Sequence, residues 1–333
     1  MAVNERLAIS LSEMRVLLGG LPDPSEAEFI WRRIWHREVH HSTALEGNTL
    51  LLDQVEALLD DGRAVGDADL AEFLEVRGYA NAARWVYAQA VTPVDWKDTL
   101  PVSITDIRNV HELALGPVWG VAPPPNATPE EGPGSFRRHN IPSFPGGMTP
   151  PSWVDVPAAL GDWVGSLREL NEASVLIEGL AETHARFEQI HPFLDGNGRT
   201  GRLILNLLLV RAGYPPAIIL KRDRDKYRAA LRRADGGDPG ALAEMLARAV
   251  TENIQKFILP AKAQPDQPVP LASLVRDGLG APALRAAIER GRLQALRGED
   301  GHYRSTATWV DEYLAQRYRR IATHTTEPQH EQT

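Results

Sequence analysis

Cysteine is absent from the 333-residue chain, and this absence excludes disulfide bonds, thiolate zinc sites and a cysteine nucleophile. Any chemistry therefore falls to histidine, acidic, basic or hydroxyl side chains. Long apolar runs are also missing, because no segment approaches the ~20 apolar residues of a membrane-spanning helix. Charged residues interrupt the start of the chain, so no signal peptide is expected. These absences predict a cytoplasmic protein with no membrane partner.

An excess of positive charge is lacking as well, since the formal net charge is −8. Between Pro268 and Arg320, nine arginines against six acidic residues and no lysine give +3, which leaves −11 for the rest of the chain. Phosphate backbones are bound by clustered lysine and arginine. A globally basic nucleic-acid binder is therefore excluded, and only the C-terminal part remains a candidate for contact with DNA.

Helical periodicity is what the chain has in abundance. Apolar residues recur at helical spacing in several segments, and a composition that is 43% hydrophobic can bury a large core. Prolines and glycines between residues 116 and 151 predict a long loop with one short hairpin. We predict an all-α protein with five parts: a helical region 1–95, a core 96–258, a linker 259–267, a small domain 268–322 and a tail 323–333.

The stretch HPFLDGNGRTGR, residues 191–202, holds the densest set of functional residue types. It formally contains GxGxxG, but a dinucleotide fingerprint must follow a strand, and the preceding residues have helical periodicity. A P-loop is excluded because GxxxxGK[ST] does not occur. The remaining interpretations are a glycine-rich connection between two helices and an anion nest at a helix N-terminus.

The charged residues of this stretch favour the anion nest. Arg199 and Arg202 are three positions apart, so both project from one face of the first turn of a helix. Two guanidinium groups suit a polyphosphate, whereas Asp195 would repel it unless a cation intervenes. We therefore infer that Mg²⁺ bridges Asp195 and the phosphates. His191 has the side chain best suited to accept a proton near neutral pH.

HPFLDGNGRTGR also matches every fixed position of HxFx[DE]GNGRxxR, and in this it resembles the signature of the Fic family. The resemblance implies a Fic-fold helical bundle with a small β-hairpin flap, and transfer of AMP from ATP to a protein hydroxyl, on the protein itself or on another. It implies that His191 is the general base and Asp195 the Mg²⁺ ligand. The nucleotide-binding residues that it implies are Gly196, Asn197, Gly198, Arg199, Thr200, Gly201, Arg202 and Tyr227.

Two further segments extend the resemblance. Residues Phe136–Pro151 resemble the family's flap, with Gly146, Gly147 and Met148 placed in it. Near Tyr227, Arg228 follows where a second tyrosine is common, and Asp235 stands where asparagine is common, so the identity of the nucleotide base is left open.

The segment HHSTALEGNTL contains Ser42, Glu46 and Gly47, which fit [ST]xxxE[GN]. This pattern resembles the inhibitory motif of autoinhibited Fic proteins and implies that Glu46 pairs with Arg202. An arginine held by a carboxylate cannot also hold the γ-phosphate, so ATP would bind in an unproductive pose. The same glutamate could instead align water to remove AMP from a modified protein, and the sequence leaves both readings open.

Residues 268–322 resemble a winged helix-turn-helix, with a hairpin near Asp300 and Gly301. Arg285, Arg290 and Arg292 would face DNA if the second helix were a recognition helix. The other interpretation is a solvated domain for homodimer formation or target capture, which the small net charge favours. A DNA-binding regulator with a nucleotide-sensing Fic core is thus the alternative from a different class.

Overall fold

The protein is described by a computed structural model that covers residues 3–18, 21–24, 27–91, 100–144, 147–171, 176–298 and 300–324. Gly146, residues 96–99 at the expected start of the core and residues 325–333 of the expected tail lie outside the described residues. The chain forms two compact units, residues 1–253 and 254–333. The finer domain boundaries expected from the sequence stay predictions.

The first unit is helical, as the periodicity predicts. Its α-helices run in order as follows: α1 Val3–Leu18, α2 Glu28–Glu46, α3 Leu52–Asp61, α4 Leu70–Tyr87, α5 Ile104–Trp119, α6 Val156–Ser166, α7 Leu176–Ile190, α8 Asn197–Arg211, α9 Arg224–Asp235 and α10 Gly240–Asn253. The prediction of an all-α fold is confirmed. None of the helices in the described ranges has both the length and the apolar character needed to cross a bilayer.

Helix α8 lies at the centre of this unit because its residues are apolar on nearly every side. It packs against α2, α4, α5 and α7, and the residues from Arg199 to Val210 are buried. Gly213 adopts a φ of +80° just after the helix, where a residue without a Cβ is favoured. The N-terminus of α8, which includes the end of the stretch 191–202, therefore lies at the centre of this unit.

The flap differs from the expected hairpin. No strand is assigned in its described parts, residues 136–144 and 147–151. The chain turns back through two backbone hydrogen bonds: the Phe144 N–H donates to the Met148 carbonyl over 3.1 Å, and the Gly147 N–H donates to the Phe144 carbonyl over 3.0 Å. Prolines on both sides of this turn remove the backbone donors that a two-stranded ladder needs.

The second unit combines short helices with a small sheet. Helix α11 is Leu259–Lys262, α12 is Ala281–Glu289 and α13 is Ala307–His324, and strands β1 Val269–Pro270, β2 Leu296–Arg297 and β3 Tyr303–Ser305 form a sheet in the order β1-β3-β2. Both strand pairs are antiparallel. The expected hairpin near Asp300 is present as β2 and β3. The segment that a helix-turn-helix needs as its first helix is only a 3₁₀ turn, Leu271–Leu274, because the backbone becomes extended at Val275 and Gly278 then takes a left-handed φ.

Candidate active site

The loop between α7 and α8 holds the motif residues of the stretch 191–202 in a tight turn. Gly196 precedes α8 with a φ of +77°, and a Cβ at this position would lie 2.6 Å from Leu115 Cδ2. The Asn197 side chain closes the turn, because it donates to the Phe193 carbonyl and accepts from the Phe193 N–H, both over 2.8 Å. The first N–H groups of α8 have no acceptor within the helix and stay available to an anion.

His191 is held as a neutral base. Its Nδ1 lies 3.2 Å from the Glu188 carbonyl, which can only accept, so Nδ1 carries the proton and Nε2 is left to receive one. The imidazole packs edge-on against Phe144 of the flap, with ring centroids 5.0 Å apart. Burial lowers the pKa of His191 to about 4, and the Arg137 charge acts in the same direction. The ring is therefore unprotonated at neutral pH.

The structure contains the pair between Glu46 and Arg202 that the sequence predicts. Arg202 donates from NH2 to Glu46 Oε1 over 2.7 Å, and the guanidinium is buried. Ser42 shares the same guanidinium: its Oγ accepts from Arg202 Nε over 2.7 Å, and its carbonyl accepts from NH2 over 3.0 Å. Ser42 and Glu46 are one helical turn apart on α2, so both reach the same arginine.

Burial acts to raise the pKa of Glu46, but the charge and hydrogen bond of Arg202 outweigh it, and the pKa lies below its ordinary value. The carboxyl is therefore ionised at neutral pH. Helix α2 ends at Gly47, whose φ of +119° stops the helix directly after Glu46. A Cβ on Gly198 would lie 2.7 Å from Glu46 Oε1, so the glycine of α8 makes room for this carboxylate.

A cavity of about 440 Å³ joins these groups. Glu46, His191, Gly198, Arg202 and Tyr227 all line it, and the flap contributes Phe144, Gly147 and Met148. The Tyr227 hydroxyl lies 2.6 Å from His184 Nε2. The remaining lining residues from α7 and α9 include Glu188, Arg224, Arg228, Leu231, Arg232 and Asp235. His191, Arg202 and Glu46 thus face one cavity.

The other predicted site residues do not line this cavity. Arg199 points away from it, donating to Glu75 Oε1 over 2.7 Å and to Asp195 Oδ2 over 2.9 Å. Thr200 is fully buried. A Cβ on Gly201 would lie 2.2 Å from Glu188 Oε1, so this glycine makes room for a carboxylate. The nucleotide contacts assigned to Gly196, Asn197, Arg199, Thr200 and Gly201 stay predictions.

Comparisons with known proteins connect this geometry to a family. A model described as the Fic/DOC family matches residues 101–209. Protein adenylyltransferase Fic of Drosophila willistoni is 31% identical over 80% of this chain and 50% of its own length. The solved structure of Fic-1 (residues 134–508) from C. elegans is 31% identical, with a TM-score of 0.61, over 77% of this chain and 71% of that chain. The chain belongs to the Fic/DOC family.

The chain spans about half the length of the curated Fic relatives that it matches. A Fic family protein from Desulfovibrio desulfuricans G20 covers more of it, 92% of this chain and 97% of its own, at 23% identity and a TM-score of 0.57. At that identity the likeness shows the fold alone. The fold class expected from the sequence is that of these Fic structures.

Three residues at or next to this site belong to none of the sequence motifs. Glu75 of α4 pairs with Arg199, although 124 positions separate them. His111 of α5 stacks on Phe193 with ring centroids 3.7 Å apart; its Nδ1 accepts from the Gly134 N–H, so its Nε2 donates to the Asp195 carbonyl over 3.0 Å. Glu188 is the third, since burial raises the pKa of its cavity-lining carboxyl to about 7. A polar residue recurring inside an otherwise apolar helical face is the signal that could have found them.

Asp195, the expected metal ligand, suits a site in which protein and substrate both supply ligands better than one made of protein ligands alone. The Asp195 side chain is 51% exposed, and Arg199 contacts its Oδ2. In the part of the chain that the structure describes, no group of three or more His, Asp or Glu side chains could hold a metal ion by itself. Mg²⁺ commonly takes one or two carboxylates together with substrate phosphates and water. A single half-exposed carboxylate beside an anion nest fits that pattern.

The arginines expected to face DNA lie in the second unit. Arg285 of α12 donates to Glu289 over 3.0 Å, which offsets its charge. Arg290 and Arg292 are exposed. The winged helix-turn-helix assignment and the contact with DNA stay predictions.

Proposed function

We propose that this Fic-family protein transfers AMP from ATP to a Ser, Thr or Tyr hydroxyl of a protein, and that Glu46 restrains the transfer. One observation carries the proposal: His191 with a free Nε2 and Arg202 held by Glu46 line the same cavity. The name protein adenylyltransferase, carried by relatives about 31% identical, supports the same reaction.

His191 Nε2 takes the proton of the acceptor hydroxyl. The resulting oxygen attacks the α-phosphate of ATP, the bond between the α- and β-phosphates breaks, and pyrophosphate leaves. The N–H groups at the start of α8 and the Arg202 guanidinium stabilise the negative charge that spreads over the phosphates. Asp195 would hold Mg²⁺ together with phosphate oxygens, and the ion supplies charge neutralisation when bound.

Glu46 opposes this arrangement because it occupies the guanidinium that the terminal phosphate needs. Its carboxyl is one-third exposed, with a side-chain exposure of 33%, and faces the cavity. ATP must therefore displace Glu46 from Arg202 before it can bind productively. The alternatives are that Glu46 aligns water to remove AMP, that the substrate is a nucleotide other than ATP, or that the protein is a DNA-binding regulator. Homodimer formation and a cytoplasmic location stay predictions.

Labelled ATP tests the proposed reaction. The Glu46→Gly protein is incubated with Mg²⁺ and ATP that carries the label on either the α- or the γ-phosphate. We expect label to remain on protein from the α-position only, because pyrophosphate carries the γ-label away. Adding His191→Ala should lower the rate by about 10²- to 10⁴-fold, the usual contribution of a general base. Retention of γ-label, or equal labelling with and without His191, would contradict the proposal.

A further inference from the structure

One buried guanidinium joins the flap to the catalytic loop. Arg137 is only 1% exposed. Its Nε donates to the His191 carbonyl over 2.9 Å, its NH1 to the His139 carbonyl over 3.1 Å and its NH2 to the Pro151 carbonyl over 2.6 Å. The Arg137 backbone N–H donates to the Pro192 carbonyl over 3.0 Å. A single residue therefore holds the catalytic loop and both ends of the flap.

The charge of Arg137 has no carboxylate partner. The ion pairs among the described residues do not include this arginine, and carbonyl oxygens alone accept from it. Burial of the charge lowers the pKa of Arg137. A buried unpaired charge is costly in free energy, and a neutral side chain of similar volume would avoid that cost. The charge at this position therefore calls for a role beyond filling space.

His191 is the residue on which this charge acts. Among the described non-glycine residues it alone has a positive φ, +49°. A left-handed backbone costs a non-glycine residue about 1–2 kcal/mol and persists only where neighbours hold it. The His191 N–H donates to the Phe187 carbonyl over 3.2 Å, and Arg137 holds the carbonyl on the other side of the residue.

We propose that Arg137 is a positioning residue for His191. It holds the strained backbone that turns the imidazole into the cavity, and it keeps the flap against the catalytic loop. Three charged groups act on the imidazole: Arg137 beside the loop, Asp195 within the loop and Glu46 on α2. The Glu188 carbonyl accepts from Nδ1. Burial lowers the pKa of His191 most, Arg137 adds to this, and the Glu188 carbonyl, Asp195 and Glu46 oppose it.

The test separates charge from geometry with two substitutions in the full-length Glu46→Gly protein. Arg137→Met removes the charge and every side-chain donor, whereas Arg137→Lys keeps the charge but not the planar fork. The His191 ring is titrated by NMR, and the His191→Gln spectrum assigns its signal. Arg138→Met is the matched control, because Arg138 is adjacent in sequence and exposed.

We expect Arg137→Met to raise the His191 titration midpoint by about half to one pH unit. The kcat for AMP transfer should fall about 100-fold while the KM for ATP changes less than about threefold, because the base is misplaced. Arg137→Lys should restore the midpoint but not kcat. Arg138→Met should leave the midpoint unchanged.

An unchanged midpoint or an unchanged kcat in Arg137→Met would overturn the proposal. If that variant fails to fold by circular dichroism, Arg137→Lys decides, since wild-type kcat with a single ammonium donor would also overturn it. The kinetic part rests on the proposed AMP transfer, but the titration does not. A shifted midpoint in a protein that transfers no AMP would refute the proposed function and support the electrostatic role of Arg137.

Discussion

Two arginines at the start of α8 have the same chemistry and different surroundings. Arg199 and Arg202 each donate to a glutamate on another helix over 2.7 Å, Glu75 of α4 and Glu46 of α2. The Glu75 side chain is 14% exposed and lies outside the cavity lining, whereas that of Glu46 is 33% exposed and lines the cavity. One pair is part of the packed core, and the other lies in the cavity that we propose for the nucleotide.

The two glutamates also differ in how firmly they stay ionised. Burial raises the pKa of Glu75 above its ordinary value even though Arg199 acts against it. For Glu46, Arg202 outweighs burial and the pKa is lowered. On the proposed function, a carboxylate–guanidinium pair restrains the enzyme only where a substrate competes for the same arginine. Elsewhere the same pair supports the fold.

Removal of the Glu46 carboxylate should have the largest effect. We expect Glu46→Gly to raise AMP incorporation from α-labelled ATP by about 10- to 150-fold, because a hydrogen bond to a charged group contributes about 1.5–3 kcal/mol. Glu46→Gln is the matched variant, and its amide should give an intermediate rate since it still accepts from Arg202. Equal rates in the Glu46→Gly and unchanged proteins would contradict the proposed restraint by Glu46.

The same pair fixes the pH dependence of the restraint. Because the folded pKa of Glu46 lies below its ordinary value of 4.5, the pair is fully present above that pH and is lost only as the pH falls through the folded pKa. We expect the ratio of Glu46→Gly to unchanged rates to stay constant from pH 6 to 9. A ratio that collapses toward one within this window would show that the restraint does not depend on an ionised Glu46.

Loss of the Ser42 hydroxyl should have a smaller effect in the same direction. Ser42→Ala removes the acceptor for Arg202 Nε, and the loosened arginine should yield to ATP more readily. The neutral hydroxyl places this bond at the low end for a charged donor, about 1.5 kcal/mol, which corresponds to a rise of about 10-fold in AMP incorporation. Thr43→Ala is the control, because the Thr43 hydroxyl donates to the Val39 carbonyl of its own helix over 2.9 Å. A rise of the same size in both variants would mean that α2 is merely destabilised.

Neutralising Glu75 should change activity least. Glu75→Gln keeps an oxygen for Arg199 and should leave AMP incorporation within about threefold of the starting protein, with no increase. The free energy of unfolding should fall by about 1–3 kcal/mol, measured by urea titration, because the buried Arg199 keeps only the half-exposed Asp195 as an anionic partner. A marked rise in activity would show that Arg199, like Arg202, is withheld from the nucleotide.

The local parts of the site could be read from the sequence because they depend on neighbouring residues. Gly196 and Gly47 take left-handed φ angles that favour glycine, and the helices on either side of the loop follow from apolar periodicity. The spacing of Ser42 and Glu46 puts both on one face of α2. The family resemblance added the partner of Glu46, and the structure contains that pair.

Other contacts of the site could not be predicted from the sequence because they join distant segments of the chain. Arg137 meets the His191 carbonyl across 54 positions and Glu75 meets Arg199 across 124, and neither contact follows from periodicity. The flap is a different case, because its prolines, visible in the sequence, remove the donors of the ladder that the resemblance implied.

The sequence by itself determined which residue types lie on which helix faces and predicted which of them carry the chemistry, because side-chain type and helical spacing are local properties. The tertiary structure alone decided that α2 presents Glu46 to Arg202, that α4 takes Arg199 out of the cavity and that Arg137 holds His191. The physical reason is that packing chooses the neighbours of a buried charge, and those neighbours decide its protonation and its freedom to meet a substrate.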